Sequence, residues 1–110
     1  VIAHFGNPWL LDAASVVLKN PNVFVDLSGL IVGSFKSHEI LHLQKGYFDY
    51  LKCALDYLYS YDKLLYASDW PFAPIHEYIS LVKTIIPVEY HSDVFFYNAL
   101  KVFPRIKKLL

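Results

Sequence analysis

With 110 residues, 55% of them apolar and 18% charged, the chain is long enough for one packed domain and too hydrophobic for a disordered one. Its 10 Lys and Arg balance 10 Asp and Glu, which excludes a basic field of the kind that attracts nucleic acid. No apolar run approaches the ~20 residues of a membrane helix, and no charged-then-apolar leader opens the chain.

Val1 to Phe5 reads as a buried parallel strand ending at Gly6. Asn7 and Pro8 then start a helix, Asn7 as its cap and Pro8 at its first position, with Leu11, Ala14, Val17 and Leu18 on one face. Asn20-Pro21 stops it. Asn22 to Leu27 is a second strand, closed by Ser28-Gly29. After a loop to about Ser37, a helix beginning at His38 or at Tyr47 runs to Tyr59, with Phe48, Leu51, Leu55 and Leu58 inward. The single Cys53 excludes an internal disulfide, points to a reducing, cytoplasmic setting, and reads as a buried structural thiol beside Ala54. Lys63 to Ala67 forms the third strand. Pro74 opens a helix over Ile75 to Ile85, with Ile75, Tyr78, Ile79 and Val82 inward, and Ser92 caps a last helix to Phe103.

The order β-α-β-α-β-α-α implies an α/β fold, a parallel sheet covered by helices. Three strands do not close a barrel and would leave both outer strands as open edges. The chain also lacks methionine and begins inside a strand, so the expectation is one domain, residues 1–110, forming the C-terminal part of something longer. Late basic residues (Lys101, Arg105, Lys107, Lys108) suit a helix end, and the tyrosines at 47, 50, 57, 59 and 61 suit a packed interface. His76 and His91 read as surface or capping residues.

Parallel α/β folds collect functional side chains at the carboxyl ends of their strands. Those ends hold His4, Asp26, Ser28, Ser68 and Asp69. Imidazole nitrogen and carboxylate oxygen are zinc donors, and a metal-bound water needs a nearby base. A histidine and an aspartate from different strands, both at this rim, are able to bind a metal or share a proton, while Asp26 and Ser28 read as structural hydrogen-bonding groups. Trp70 packs beneath the rim or faces substrate.

Four features occur in a telling order: His4-Phe5-Gly6, then NVFVDLSG over Asn22 to Gly29, then ASDWP over Ala67 to Pro71, then Asn98-Ala99 before Val102-Phe103. Together they resemble the last third of the metal-dependent amidohydrolases of TIM-barrel fold, and within them the branch of aminocarboxymuconate semialdehyde decarboxylase. The one departure is Ala67 where glycine is usual. The resemblance implies the last three βα units of a (β/α)8 TIM barrel. It also implies a hydrolase or decarboxylase acting on a small carbonyl or carboxylate substrate through metal-activated water. By the same resemblance Asp69 is a metal ligand and proton acceptor, and His4 assists water activation or orients substrate. The divalent metal, zinc by analogy, would take its remaining ligands from strands this chain lacks.

A second pattern competes. His38-Glu39-Ile40-Leu41-His42 has the H-E-x-x-H spacing of zinc peptidases. The extended motif needs Gly at 45 and His at 48, where Lys45 and Phe48 stand. Only Glu77 or Glu89 could serve as a downstream third ligand. His38 and His42 are therefore expected at the substrate mouth rather than on zinc. The alternatives to the barrel enzyme are a non-catalytic remnant with an assembly role, a chain that self-associates through its sheet edges or with the rest of a barrel, and a small zinc peptidase.

Overall fold

A computed structural model describes all residues, Val1–Leu110. Three chain segments run parallel in sequence order. Strand β1 (Val25–Asp26) pairs with β2 (Leu64–Leu65), Val25 opposite Leu64 and Asp26 opposite Leu65, and Ile2 bridges to Val25 on the other flank. Backbone bonds from Ile2 N–H to the Phe24 carbonyl (2.7 Å) and from Leu27 N–H to the Leu65 carbonyl (2.9 Å) extend the ladder a little further.

The first strand is much shorter than expected. Ala3–Gly6 forms a tight turn in which His4 (φ 58°) and Phe5 (φ 52°) both adopt left-handed backbone. The cause is competition for the main-chain N–H of His4, which bonds to the Asp26 carboxylate at 3.0 Å instead of to a neighbouring strand. The expected helix start fails for a related reason. Asn7 does not cap; its side-chain oxygen accepts from the Tyr47 hydroxyl at 3.0 Å, and the Asn7–Pro8 peptide is cis.

Helix α1 therefore begins later, spanning Leu10–Lys19. Entering with Leu10 inward, it buries Leu10, Ala13, Ala14 and Val17, while Leu11 and Leu18 fall on the exposed flank. At its far end the Lys63 ammonium donates to the carbonyls of Val17 (3.1 Å) and Asn20 (2.9 Å), occupying the orphan acceptors of the last turn. The entry to β2 is thus tied to the end of α1.

The central helical run is two helices, α2 (Ser37–Leu43) and α3 (Lys45–Leu58), jointed at the non-helical Gln44. Helix α3 buries Phe48, Leu51, Ala54, Leu55 and Leu58 against α1. Cys53 does not join them. It lies on the outer face with Lys52 and Asp56 and is exposed, because the inward stripe passes through positions 51, 54, 55 and 58. Among the neighbouring tyrosines only Tyr47 and Tyr61 are partly buried, whereas Tyr50, Tyr57 and Tyr59 stand in solvent.

Helix α4 occupies Ile75–Ile85 as the pattern predicts, but its buried side chains are Tyr78, Leu81 and Val82, with Ile75 exposed. His91 receives the end of this helix, its Nε2 bonding the carbonyls of Lys83 (3.0 Å) and Ile86 (2.7 Å). Ser92 is itself helical and makes no capping bond. The C-terminal segment is a π turn (Asp93–Tyr97) running into α5 (Asn98–Val102). Asn98 is fully buried there and donates to the carbonyls of Tyr61 (2.8 Å) and Leu64 (2.9 Å). Tyr66 N–H bonds the Val94 carbonyl at 2.9 Å, so the flank of β2 is partly covered rather than an open edge. One core of 21 apolar residues joins the strands to the helices, and burying each of its large aliphatic side chains is worth about 1.5–3 kcal/mol. No helix is long and apolar enough to cross a membrane.

Candidate active site

The carboxyl ends of the parallel segments carry one connected polar cluster. Asp26 is the last residue of β1, and its Oδ1 accepts three bonds, from the main-chain N–H of His4 (3.0 Å), the main-chain N–H of Ser28 (3.0 Å) and the Ser28 hydroxyl (2.5 Å). Ser28 Oγ also contacts His4 Nδ1 at 2.8 Å. His4 Nε2 forms no hydrogen bond with the protein. Gly29, at φ 62°, presents its open face to the imidazole; a Cβ there would lie 2.2 Å from Nδ1.

This loop is braced from below. The fully buried Tyr78 of α4 donates its hydroxyl proton to the Leu27 carbonyl and accepts the Leu30 N–H at 3.1 Å. One phenol thus fixes both shoulders of Ser28-Gly29. Burial raises the Tyr78 hydroxyl well above its ordinary range, the Leu30 bond opposing that rise, so the group stays protonated and can keep donating.

Asp69 is the contrasting aspartate. It follows β2, is half-buried, and takes left-handed backbone (φ 61°), a conformation Asp tolerates better than most residues. Its carbonyl accepts the Phe72 N–H at 2.9 Å, but its carboxylate receives no hydrogen bond and no ion pair from the chain. Asp26 is engaged through one oxygen by three donors, whereas neither oxygen of the Asp69 carboxylate is engaged. Both His4 and Asp69 follow the carboxyl ends of parallel segments, so the topology puts them at one edge of the sheet.

Trp70 does not pack beneath the rim. It is 68% exposed and, with Gly33, Ser34, Phe72 and Pro74, lines a shallow hollow of about 270 Å3. The peptide before Pro71 is cis, and Gly33 N–H clasps the Phe72 carbonyl at 2.7 Å, joining the loops after β1 and β2.

His38 and His42 sit on α2 with both side chains exposed, His38 at 81%. Glu77, one of the two glutamates able to complete a zinc-peptidase centre, is engaged elsewhere. Its Oε2 accepts the Ser37 N–H at 2.8 Å, capping the start of α2 and docking that helix on α4. Glu39 instead lines the neighbouring hollow of about 430 Å3, with Glu77 on its other side.

Imidazole and carboxylate are the right donor types for zinc, but no three His, Cys, Asp or Glu side chains converge anywhere in the chain. His4 and Asp69 supply two donors where a zinc centre takes three or four. The residues present do not by themselves fit a metal centre.

The parallel segments joined through helices, with a polar cluster gathered at their carboxyl ends, define a protein built of βα units. The family model described as Amidohydrolase matches residues 1–105, and the chain belongs to that family. No curated protein and no solved structure matches it.

Proposed function

We propose that the chain forms the last three βα units of an amidohydrolase-type (β/α)8 barrel, in the aminocarboxymuconate semialdehyde decarboxylase-like branch. In this reading it carries part of the rim that hydrolyses or decarboxylates a small carbonyl or carboxylate compound. The observation that carries it is the difference between the two aspartates. Asp26 holds three structural donors on one oxygen, while Asp69, inside the SDWP segment, keeps an unengaged carboxylate beside an edge that also holds His4. His4 acts as the proton acceptor or substrate-orienting group, and Asp69 would be one carboxylate donor to a divalent cation and a proton acceptor. Trp70, His38 and His42 line the substrate mouth. Any such cation, zinc by family analogy, requires further ligands from outside these residues.

The test is made in the polypeptide that joins this segment to an upstream His-x-His strand. Asp69→Ala should lower bound metal and turnover together, each by ten-fold or more. His4→Ala should lower turnover at least as far while leaving most of the metal bound. Full metal content and full turnover in both variants would refute the assignment.

A further inference from the structure

The hydrogen-bond polarity around His4 determines which of its nitrogens bears the proton. Ser28 has a single hydroxyl hydrogen, and the contact to Asp26 Oδ1 takes it, because a carboxylate with three donors aimed at one oxygen only accepts. Toward His4 the serine oxygen therefore offers a lone pair. A 2.8 Å contact between that oxygen and Nδ1 requires the hydrogen to lie on Nδ1. In the neutral ring Nε2 is then the bare nitrogen, the one that forms no bond with the protein.

We infer that Asp26 and Ser28 are positioning residues that hold neutral His4 as its Nδ1–H tautomer, making Nε2 the nitrogen that accepts a proton or binds a ligand. Three independent contacts fix the ring. Asp26 holds the main-chain N–H of His4, Ser28 holds Nδ1, and the ring lies against the bare Cα of Gly29. A 180° turn of the imidazole would replace Nδ1 by a carbon and forfeit the Ser28 bond. The arrangement differs from a nucleophilic serine triad, where the serine proton points to imidazole; here it points to the carboxylate, so Ser28 is no nucleophile. The tautomer follows from hydrogen bonds alone, and only its use in catalysis rests on the function proposed above.

The measurement is a long-range proton–nitrogen correlation spectrum of the 15N-labelled chain. It is recorded well above pH ~6.5, the ordinary imidazole range, with His4 assigned from the signal missing in His4→Gln. His91 supplies an internal contrast, since its Nε2 faces two carbonyls and must donate. His4 should show a pyrrole-type Nδ1 and a pyridine-type Nε2, and His91 the reverse. Ser28→Ala should abolish the His4 preference while leaving His91 unchanged. A wild-type His4 with Nε2–H, or an even mixture, overturns the inference, as does a preference that survives in folded Ser28→Ala. Should that variant not fold, the wild-type spectrum decides alone. Because the readout is a nitrogen shift, its failure is separate from any failure of turnover.

Discussion

Position 29 shows how little space the site leaves. A Cβ added to Gly29 would meet the His4 ring at 2.2 Å, with backbone already at φ 62°. Gly29→Ala should therefore displace the imidazole and cost at least the ~1–2 kcal/mol of a left-handed non-glycine residue. Denaturant titration would show the loss, and the His4 nitrogen signals would move with it. Removing the Tyr78 hydroxyl is a different injury. Tyr78→Phe leaves the Leu27 carbonyl and Leu30 N–H unsatisfied in the core, a destabilisation of about 1–3 kcal/mol. A midpoint unchanged from wild type would remove the brace from this account. His4 and Asp69 were legible as strand-end residues in the sequence, because strand ends concentrate chemistry. Tyr78 was legible only as an inward residue on α4, since no periodicity says where a phenol's oxygen points.

At the scale of elements, helix identity was readable and strand length was not. The 3.6-residue spacing on α3 and α4 survives in the fold because each helix satisfies its own backbone. The strand over Val1 to Phe5 depended on apolar content alone, and one carboxylate at Asp26 was enough to draw the backbone of His4 into a turn. A tertiary partner, the Tyr47 hydroxyl, removed Asn7 as a cap, whereas Cys53 falls off the inward stripe of α3 and Ser92 lies inside the helix it was expected to start.

Titration adds a test at this scale. The Tyr47 hydroxyl, on α3, is pushed up to about 12 from 10.0, chiefly by burial and secondarily by Tyr50. Its folded-state value is raised, so the native state holds the proton more tightly. The associated stability is complete below pH ~10 and disappears as pH rises towards ~12. Alkaline denaturation should begin in that window. Tyr47→Phe, which cannot ionise, should shift the onset upward, as circular dichroism against pH would record. An identical onset in both proteins would place the alkaline transition elsewhere.

For the molecule as a whole, the balance between covered and uncovered apolar surface matters most. The chain buries 24 residues, yet Trp9, Val16, Val32, Leu43, Trp70, Phe72 and Phe96 all remain exposed. Trp70 and Phe72 share one hollow, and adjoining apolar surface favours association. Sedimentation at rising concentration should show the average mass climbing above 12.7 kDa, whereas a constant monomer mass would rule out self-association. The family was legible from four short motifs, and the match over residues 1–105 bears that out. A metal centre was not assembled by those motifs, since a cation needs ligands to converge in space and only two of the expected donors lie at this rim.

The three bonds on Asp26 Oδ1 also constrain how this region can vary over evolutionary time. One oxygen at this position must meet three donors, and glutamate would overreach both main-chain ones. Positions 4, 26, 28 and 29 therefore form one contact block, in which a change at one is felt at the others. Asp69 belongs to no such block. Its carboxylate bonds no neighbour, so its loss breaks no contact, and the left-handed backbone at φ 61° makes asparagine or glycine the replacement that keeps the turn.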